Sequence, residues 1–246
     1  MAANAFIWKS VSDAPDAGGA AWSTIFKCRS TSIYKCRASC KMCQPLFWSS
    51  DMKVSRAQAA ANRERVVAES ARLFRDRGFA AVGLNELMQS AGLTRGGFYG
   101  QFESKQDLVR LALSEAMAQN LANWEKLAGA GEEASLRRYI ENYLSDRHQS
   151  ARAAGCTMAA LAGDIGREDA ATRALFEQGL CNLEARVQTL MPGATDAQRR
   201  QRTWACLSAL VGALTLSRSV TDPALAAEIR QATIDTLVDS FVPATR

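Results

Sequence analysis

The sequence predicts an all-α protein in which a small N-terminal three-helix domain precedes a larger helical domain. Three observations predict it. From Met52 onward, apolar residues recur at helical spacing and no alternating run of useful length interrupts them. Capping residues, glycines and prolines punctuate these stretches at helix-length intervals. The charge also divides along the chain: residues 52–110 hold ten Lys/Arg against six Asp/Glu, a net +4, whereas residues 111–246 hold fourteen against sixteen, a net −2. A basic head on a slightly acidic body is the electrostatic pattern of a nucleic-acid-binding unit attached to a unit with another task.

There are about nine helices in chain order. The first runs from about Ala57 to Arg77, with Val67, Ala71 and Phe74 on one face and Gly78 placed to stop it. A short second helix covers about Leu84 to Ala91, and a third Thr94 to Phe102. Ser104 caps a long fourth helix reaching Ala128, with Asp107 three residues later as in a capping box. After a turn at Gly129 to Glu133, the residues Leu136, Tyr139, Ile140, Tyr143 and Leu144 keep helical spacing. A break at Ala153 to Gly155 precedes a short helix near Met158 to Ile165, and a longer one spans about Asp169 to Leu190 before Pro192-Gly193. Thr195 or Asp196 caps the next, to about Ser219, and Asp222-Pro223 opens the last, which ends near Phe241. The expected domains are an atypical segment 1–51, a head at 52–103 and a body at 104–246.

Composition narrows the function. A chain of 246 residues, 48% hydrophobic and 22% charged, buries one large core or two small ones. The longest apolar stretch, Cys206 to Leu216, is broken by Ser208 and Thr215 and is too short to span a bilayer, which speaks against a membrane role. No secretory signal pattern appears after Met1. Of seven cysteines, Cys28, Cys36, Cys40 and Cys43 crowd the start while Cys156, Cys181 and Cys206 are scattered among helices; this is no disulfide framework, and a reducing cytoplasm is expected.

The chemistry concentrates between Leu84 and Phe102, where two short helices meet at Gly92. Glycine there takes the left-handed conformation that ends the first helix, and Thr94 is placed to cap the second, which is helix-turn-helix geometry. Leu87, Ala91, Leu93, Phe98 and Phe102 supply a small core and leave Thr94, Arg95, Gly97, Tyr99 and Gln101 for a DNA major groove. Gly96, Gly97 and Gly100 weaken this helix by about 1 kcal/mol each relative to alanine and let the backbone approach DNA closely.

The run Gly78-Phe79, Asn85 to Leu87, Ala91-Gly92-Leu93-Thr94 and Phe98-Tyr99 through Phe102-Glu103-Ser104-Lys105 resembles the signature of the tetracycline-repressor (TetR) family. The resemblance covers about 50 residues. It implies a homodimer, an N-terminal DNA-binding domain, a C-terminal domain that binds a small-molecule inducer, and repression from a palindromic operator, with neither an enzymatic activity nor a cofactor. By that likeness Tyr99 and Lys105 match phosphate contacts, and Thr94, Arg95 and Gln101 match contacts to phosphates or base edges. The sequence departs from the pattern at Gly83, where a hydroxyl residue usually caps the second helix, and at Met88 and Gln101.

In the body, Trp124, Tyr139, Tyr143, Met158, Leu161 and Phe176 are the candidate ligand-binding residues, being large apolar or amphipathic groups on successive helices. Each also has the character of a core residue. His148, the only histidine, is expected at an exposed helix end, and one histidine builds no histidine-rich metal or catalytic site. Cys156 comes directly after Gly155 at a helix start, where the helix terminus, with Arg147 and Arg152 nearby, is expected to lower the thiol pKa. The Gly-Cys pair resembles a branch of the family that senses oxidants or electrophiles, so Cys156 is a redox-sensing candidate; the alternative is a small buried hydrophobe. The last two helices, about 196–241, carry Trp204, Leu207, Leu210, Val211 and Leu214 opposite Leu225, Ile229, Ile234, Leu237 and Phe241, and by the family likeness form the dimer interface. Dimerisation also spaces two reading heads for a palindrome.

Residues 1–51 do not resemble the rest of the chain. Cys36, Cys40 and Cys43 have the CxxxCxxC spacing of an iron-sulfur cluster in radical S-adenosylmethionine enzymes, and Cys28 offers a fourth thiolate for a metal-binding arm. The enzyme alternative needs a barrel of strands and helices that the pattern lacks. The expected origin is upstream sequence translated from a wrongly chosen start, or a disordered or DNA-touching basic arm.

Overall fold

A computed structural model describes residues 55–128 and 135–242. The expectations for 1–51, including the Cys28, Cys36, Cys40 and Cys43 cluster, lie outside the described residues. Within these the protein is all-helical, with nine α-helices and no strand. These are α1 (Arg56–Arg77), α2 (Leu84–Ser90), α3 (Lys105–Ala128), α4 (Leu136–Tyr143), α5 (Asp146–Ser150), α6 (Thr157–Ile165), α7 (Ala170–Gln188), α8 (Asp196–Ser219) and α9 (Pro223–Phe241). The iron-sulfur enzyme reading, which needs alternating strands, finds none here.

Local chemistry sets most boundaries. The side chains of Ser55, Ser135, Asp169, Thr195 and Asp222 cap α1, α4, α7, α8 and α9 by accepting a backbone N–H of the first turn. Ser104 does the same for α3, accepting from Asp107 N at 3.0 Å. Gly78 ends α1 with its N–H on the Phe74 carbonyl at 2.7 Å, and Pro223 sits at the start of α9, where its missing N–H is not needed.

Two elements differ from expectation. The third helix, expected over 94–102, is only a 3-10 turn, Arg95–Gly97, succeeded by a second turn in which Gln101 N and Phe102 N both reach the Phe98 carbonyl at 2.9 Å. Three glycines in six residues explain the loss of α geometry. The five-residue α5 is not expected from the sequence and is nucleated by Ser145, whose hydroxyl accepts from His148 N.

Helix α3 packs on α1, α4, α6 and α7; α8 packs on α9, α7, α6 and α5. One continuous core runs from Val66, Phe74 and Leu87 through Leu108 and Leu113 to Tyr139, Leu161, Leu210 and Leu214. The last helix is anchored by Arg230, 7% exposed, which donates from Nε to the Leu144 carbonyl at 3.0 Å and pairs with Asp146. Replacing Arg230 by alanine removes these bonds and strands the buried Leu144 carbonyl. Urea unfolding is expected to show a loss of about 2–3 kcal/mol, and an unchanged midpoint would mean that the pair does not hold α9 in place.

Candidate nucleic-acid interface and cavity

The head is built on Phe74, Phe79, Val82, Leu87, Met88, Ala91, Phe98 and Phe102, all buried. Gly92 adopts φ 72°, the left-handed value that the turn requires. Thr94, Arg95, Gly97 and Tyr99 are exposed, and Tyr99 is 70% exposed although it is a large aromatic. Thr94 immediately precedes the 3-10 turn but makes no side-chain cap, so its hydroxyl is not consumed by the turn. Gly83 likewise precedes α2 without a side-chain cap.

Two expected contacts are placed differently. Gln101 is half-buried with its Oε1 enclosed and unpartnered, so it does not stand free on the reading surface. Lys105 is half-buried and its Nζ donates to the Phe79 carbonyl at 3.0 Å, which ties α3 to the loop before α2 and leaves only its remaining N–H groups for a phosphate. The cause in the first case is Arg63, which sequence reasoning missed. Its guanidinium lies 5.1 Å from the Phe102 ring centroid and donates from Nε to the Gln101 carbonyl at 3.3 Å, drawing the second turn against α1.

The three glycines of the turn are not required by the protein's own packing. A Cβ at Gly96 would meet nothing within 4 Å, and the nearest atoms at Gly97 and Gly100 are 3.8 Å away. The smooth surface therefore faces outward. Gly97→Ala is expected to raise stability by about 0.5–1 kcal/mol while weakening DNA binding; thermal melting and a DNA titration read the two effects separately. Gain in both would show that no ligand backbone comes close to Gly97.

The body holds a cavity of about 340 Å³ between α3, α4, α5 and the start of α6. Trp124, Tyr139, Tyr143 and Met158 line it as expected, and so does Cys156. Leu161 and Phe176 do not. Leu161 is 1% exposed in the core and Phe176 packs half-buried against that core, so both serve packing instead. The cavity wall adds Asn120, Asn123, Lys126 and Arg147, and the described lining residues include no carboxylate.

His148 is not an exposed end residue: it is half-buried in the cavity wall. Its Nδ1 lies 2.7 Å from the Tyr143 carbonyl and its Nε2 accepts the Cys156 N–H at 3.1 Å, a pairing that requires the neutral ring with the proton on Nδ1. Arg218 completes this corner by donating to the His148 and Gln149 carbonyls at 2.7 and 3.0 Å. Gly155 sits at the centre. A Cβ there would lie 2.6 Å from the Ala151 carbonyl oxygen and 3.0 Å from both Arg218 Nη2 and His148 Nε2, which explains the glycine in the Gly-Cys pair.

The thiol itself corrects the expectation of a lowered pKa. Cys156 is 5% exposed, and burial pushes its thiol up, outweighing the Tyr143 hydroxyl, the backbone N–H groups of the α6 terminus and the Arg218 guanidinium. Arg218 and Arg75, not Arg147 or Arg152, are the guanidinium groups that act on it. The Tyr143 hydroxyl faces the sulfur but makes no hydrogen bond of good geometry.

Burial also lowers the His148 pKa from its ordinary value of 6.5, helped by Arg218 and opposed by the Tyr143 carbonyl. The unfolded chain therefore takes up the proton first on acidification, and stability present above that value falls as the pH drops below it. Because the chain has one histidine, melting temperatures between about pH 7.5 and about pH 6 isolate the effect. The native protein is expected to lose stability across this window and His148→Gln much less; equal slopes would contradict the neutral-imidazole assignment.

Exposed helix-turn-helix residues thus stand on a helical body that holds a cavity. Residues 66–112 match the family described as bacterial regulatory proteins, tetR family. An uncharacterized HTH-type transcriptional regulator of Bacillus subtilis (strain 168), YerO, is 31% identical over 88 residues, which are 34% of this chain and 30% of YerO. The chain thus aligns with under a third of that relative's length. Among solved structures, the reduced form of Escherichia coli NemR superposes with a TM-score of 0.61 at 20% identity, covering 75% of this chain and all of that one (100%). A TetR-family regulator from Cytophaga hutchinsonii gives 0.62 at 16% identity, covering 76% and 98% of the two chains. Residues 66–112 thus carry the DNA-binding module of that family, and the helical fold around it is the one these solved regulators share.

Proposed function

We propose that the protein is a homodimeric repressor that binds a palindromic operator through residues 94–105 and is released when a small molecule fills the α3–α4–α6 cavity. One observation carries this reading: α3 serves both sites. Its first residue, Lys105, holds the head, and its C-terminal part supplies Asn120, Asn123 and Trp124 to the cavity wall. A ligand that displaces this end of α3 shifts the population of head positions suited to two successive major grooves.

The cavity chemistry indicates the inducer class. Aromatic walls, asparagine amides and two cationic side chains, Lys126 and Arg147, without a carboxylate among the described lining residues, suit an aromatic compound that is neutral or anionic. Cys156 supports a second route, because it lines the same cavity and an electrophile that enters would reach its sulfur. The protonated, buried thiol makes this route slow at rest. The dimer reading rests on α8 and α9. Leu207, Leu210, Leu214 and Leu237 are consumed by the internal core, whereas Trp204, Val211, Ile229, Ile234 and Phe241 remain half-exposed and Leu225 is 41% exposed, leaving an apolar face for a second copy.

Selection of bound fragments from genomic DNA supplies the operator for the test. Tyr99→Ala and Lys105→Ala are expected to weaken binding to all sequences by about tenfold, whereas Arg95→Ala changes which bases matter. Unchanged affinity in all three would refute the DNA-binding role. Release by aromatic compounds that persists in Cys156→Ser selects the ligand route; release abolished by that change selects the thiol route.

A further inference from the structure

A second cavity, of about 240 Å³, lies where the end of α1 meets α6 and α8. Arg75, Arg77, Arg152 and Arg218 line it, together with Asp76 and Asp164. Part of this charge is already matched. Arg77 pairs with Glu86, and Asp164 pairs with Arg167 and accepts the Phe79 N–H at 3.2 Å. Asp76, exposed at the rim, forms no ion pair among the described residues.

The other three guanidinium groups donate their hydrogen bonds to neutral acceptors, and of the three Arg75 alone feels a nearby carboxylate, that of Glu115. Arg75, 5% exposed, donates to the Ala153 carbonyl at 2.7 Å and to Gln119 Oε1 at 2.9 Å. Arg218 donates to the His148 and Gln149 carbonyls, and Arg152 to the Arg218 carbonyl at 3.3 Å. The Nη1 groups of Arg75 and Arg218 are buried and unpartnered. A guanidinium N–H group taken out of water normally finds an acceptor or a counter-charge, because its desolvation is otherwise uncompensated. Arg152 next to Arg218 adds like-charge repulsion. Guanidinium groups gathered on the wall of one cavity, each a planar fork of donors, are the side chains that recognise tetrahedral oxyanions.

We propose that this cavity binds a small oxyanion of the phosphate class, held by Arg75, Arg152 and Arg218. The site is separate from the inducer cavity and joins the first helix of the head to α6 and α8. The binding does not depend on the function proposed above.

The test is calorimetric titration and thermal melting of the full chain with inorganic phosphate, and in parallel with methyl phosphate, against sodium chloride at matched ionic strength and without DNA. Saturable phosphate binding and a rise in melting temperature that chloride does not reproduce are expected. Arg152→Gln, at an exposed position that the fold tolerates, should weaken binding by about tenfold, while Arg137→Gln on α4 leaves it unchanged. Binding of methyl phosphate as well would extend the site to phosphate monoesters, and binding of the free ion alone would restrict it to that ion; either supports the proposal. A melting rise that tracks ionic strength alone, or an Arg152→Gln protein that binds phosphate as tightly as the native one, would overturn it.

Discussion

The structure depends on one helix belonging to two places. The 24 residues of α3 extend for about 36 Å. Near its start Leu108, Val109, Ala112 and Leu113 are buried, and further along Ala116, Met117, Trp124 and Ala128 are buried too. A helix packed so continuously does not bend locally at low cost, which is why the proposed function lets displacement at the cavity end move the end that carries Lys105. Coupling here needs no chain of side-chain rearrangements, only a rigid element with two preferred seats.

Polar contacts fix where the head sits on that lever. Arg75 reaches the Ala153 carbonyl and Gln119, Asp164 accepts the Phe79 N–H, and Gln106 donates to Glu168 and Thr172. Such bonds are individually modest and directional, so they specify an orientation without making it permanent. The reading turn is held just as lightly. It lacks a regular α-helical ladder and is supported by the stacked Phe98 and Phe102 rings, 5.3 Å apart, and by Arg63 above them. A partner thus meets a surface that is backed from behind and smooth in front.

Much of this is legible in the sequence because it is local. Caps, glycine stops and apolar spacing depend on residues three or four positions apart, so the long helices and the turn at Gly92 can be read directly. The third helix cannot: its capping pattern is right, but three glycines outweigh it. Four of the six expected cavity residues do line the cavity, since large groups at helical spacing face inward. Which interior they face is decided by tertiary packing, and Leu161 and Phe176 go to the core. The roles of His148 and Cys156 escape sequence reasoning for a related cause. Arg218 lies 62 residues beyond Cys156 in the chain, and neither its approach nor the crowding around Gly155 leaves a signal at short range. Burial therefore overrides the helix-terminus effect that the sequence suggests.

The central claim is that the cavity end of α3 controls the reading head, and filling the cavity from within tests it without knowledge of the inducer. Asn123 lies on the cavity wall, is half-buried and only accepts a bond from Lys126. Operator affinity measured for Asn123→Trp should fall by about tenfold or more, comparable to a coupling energy of about 1–3 kcal/mol, while the melting temperature stays close to that of the native protein. An Asn123→Trp protein that fills the cavity, remains folded and binds the operator with native affinity would contradict the account.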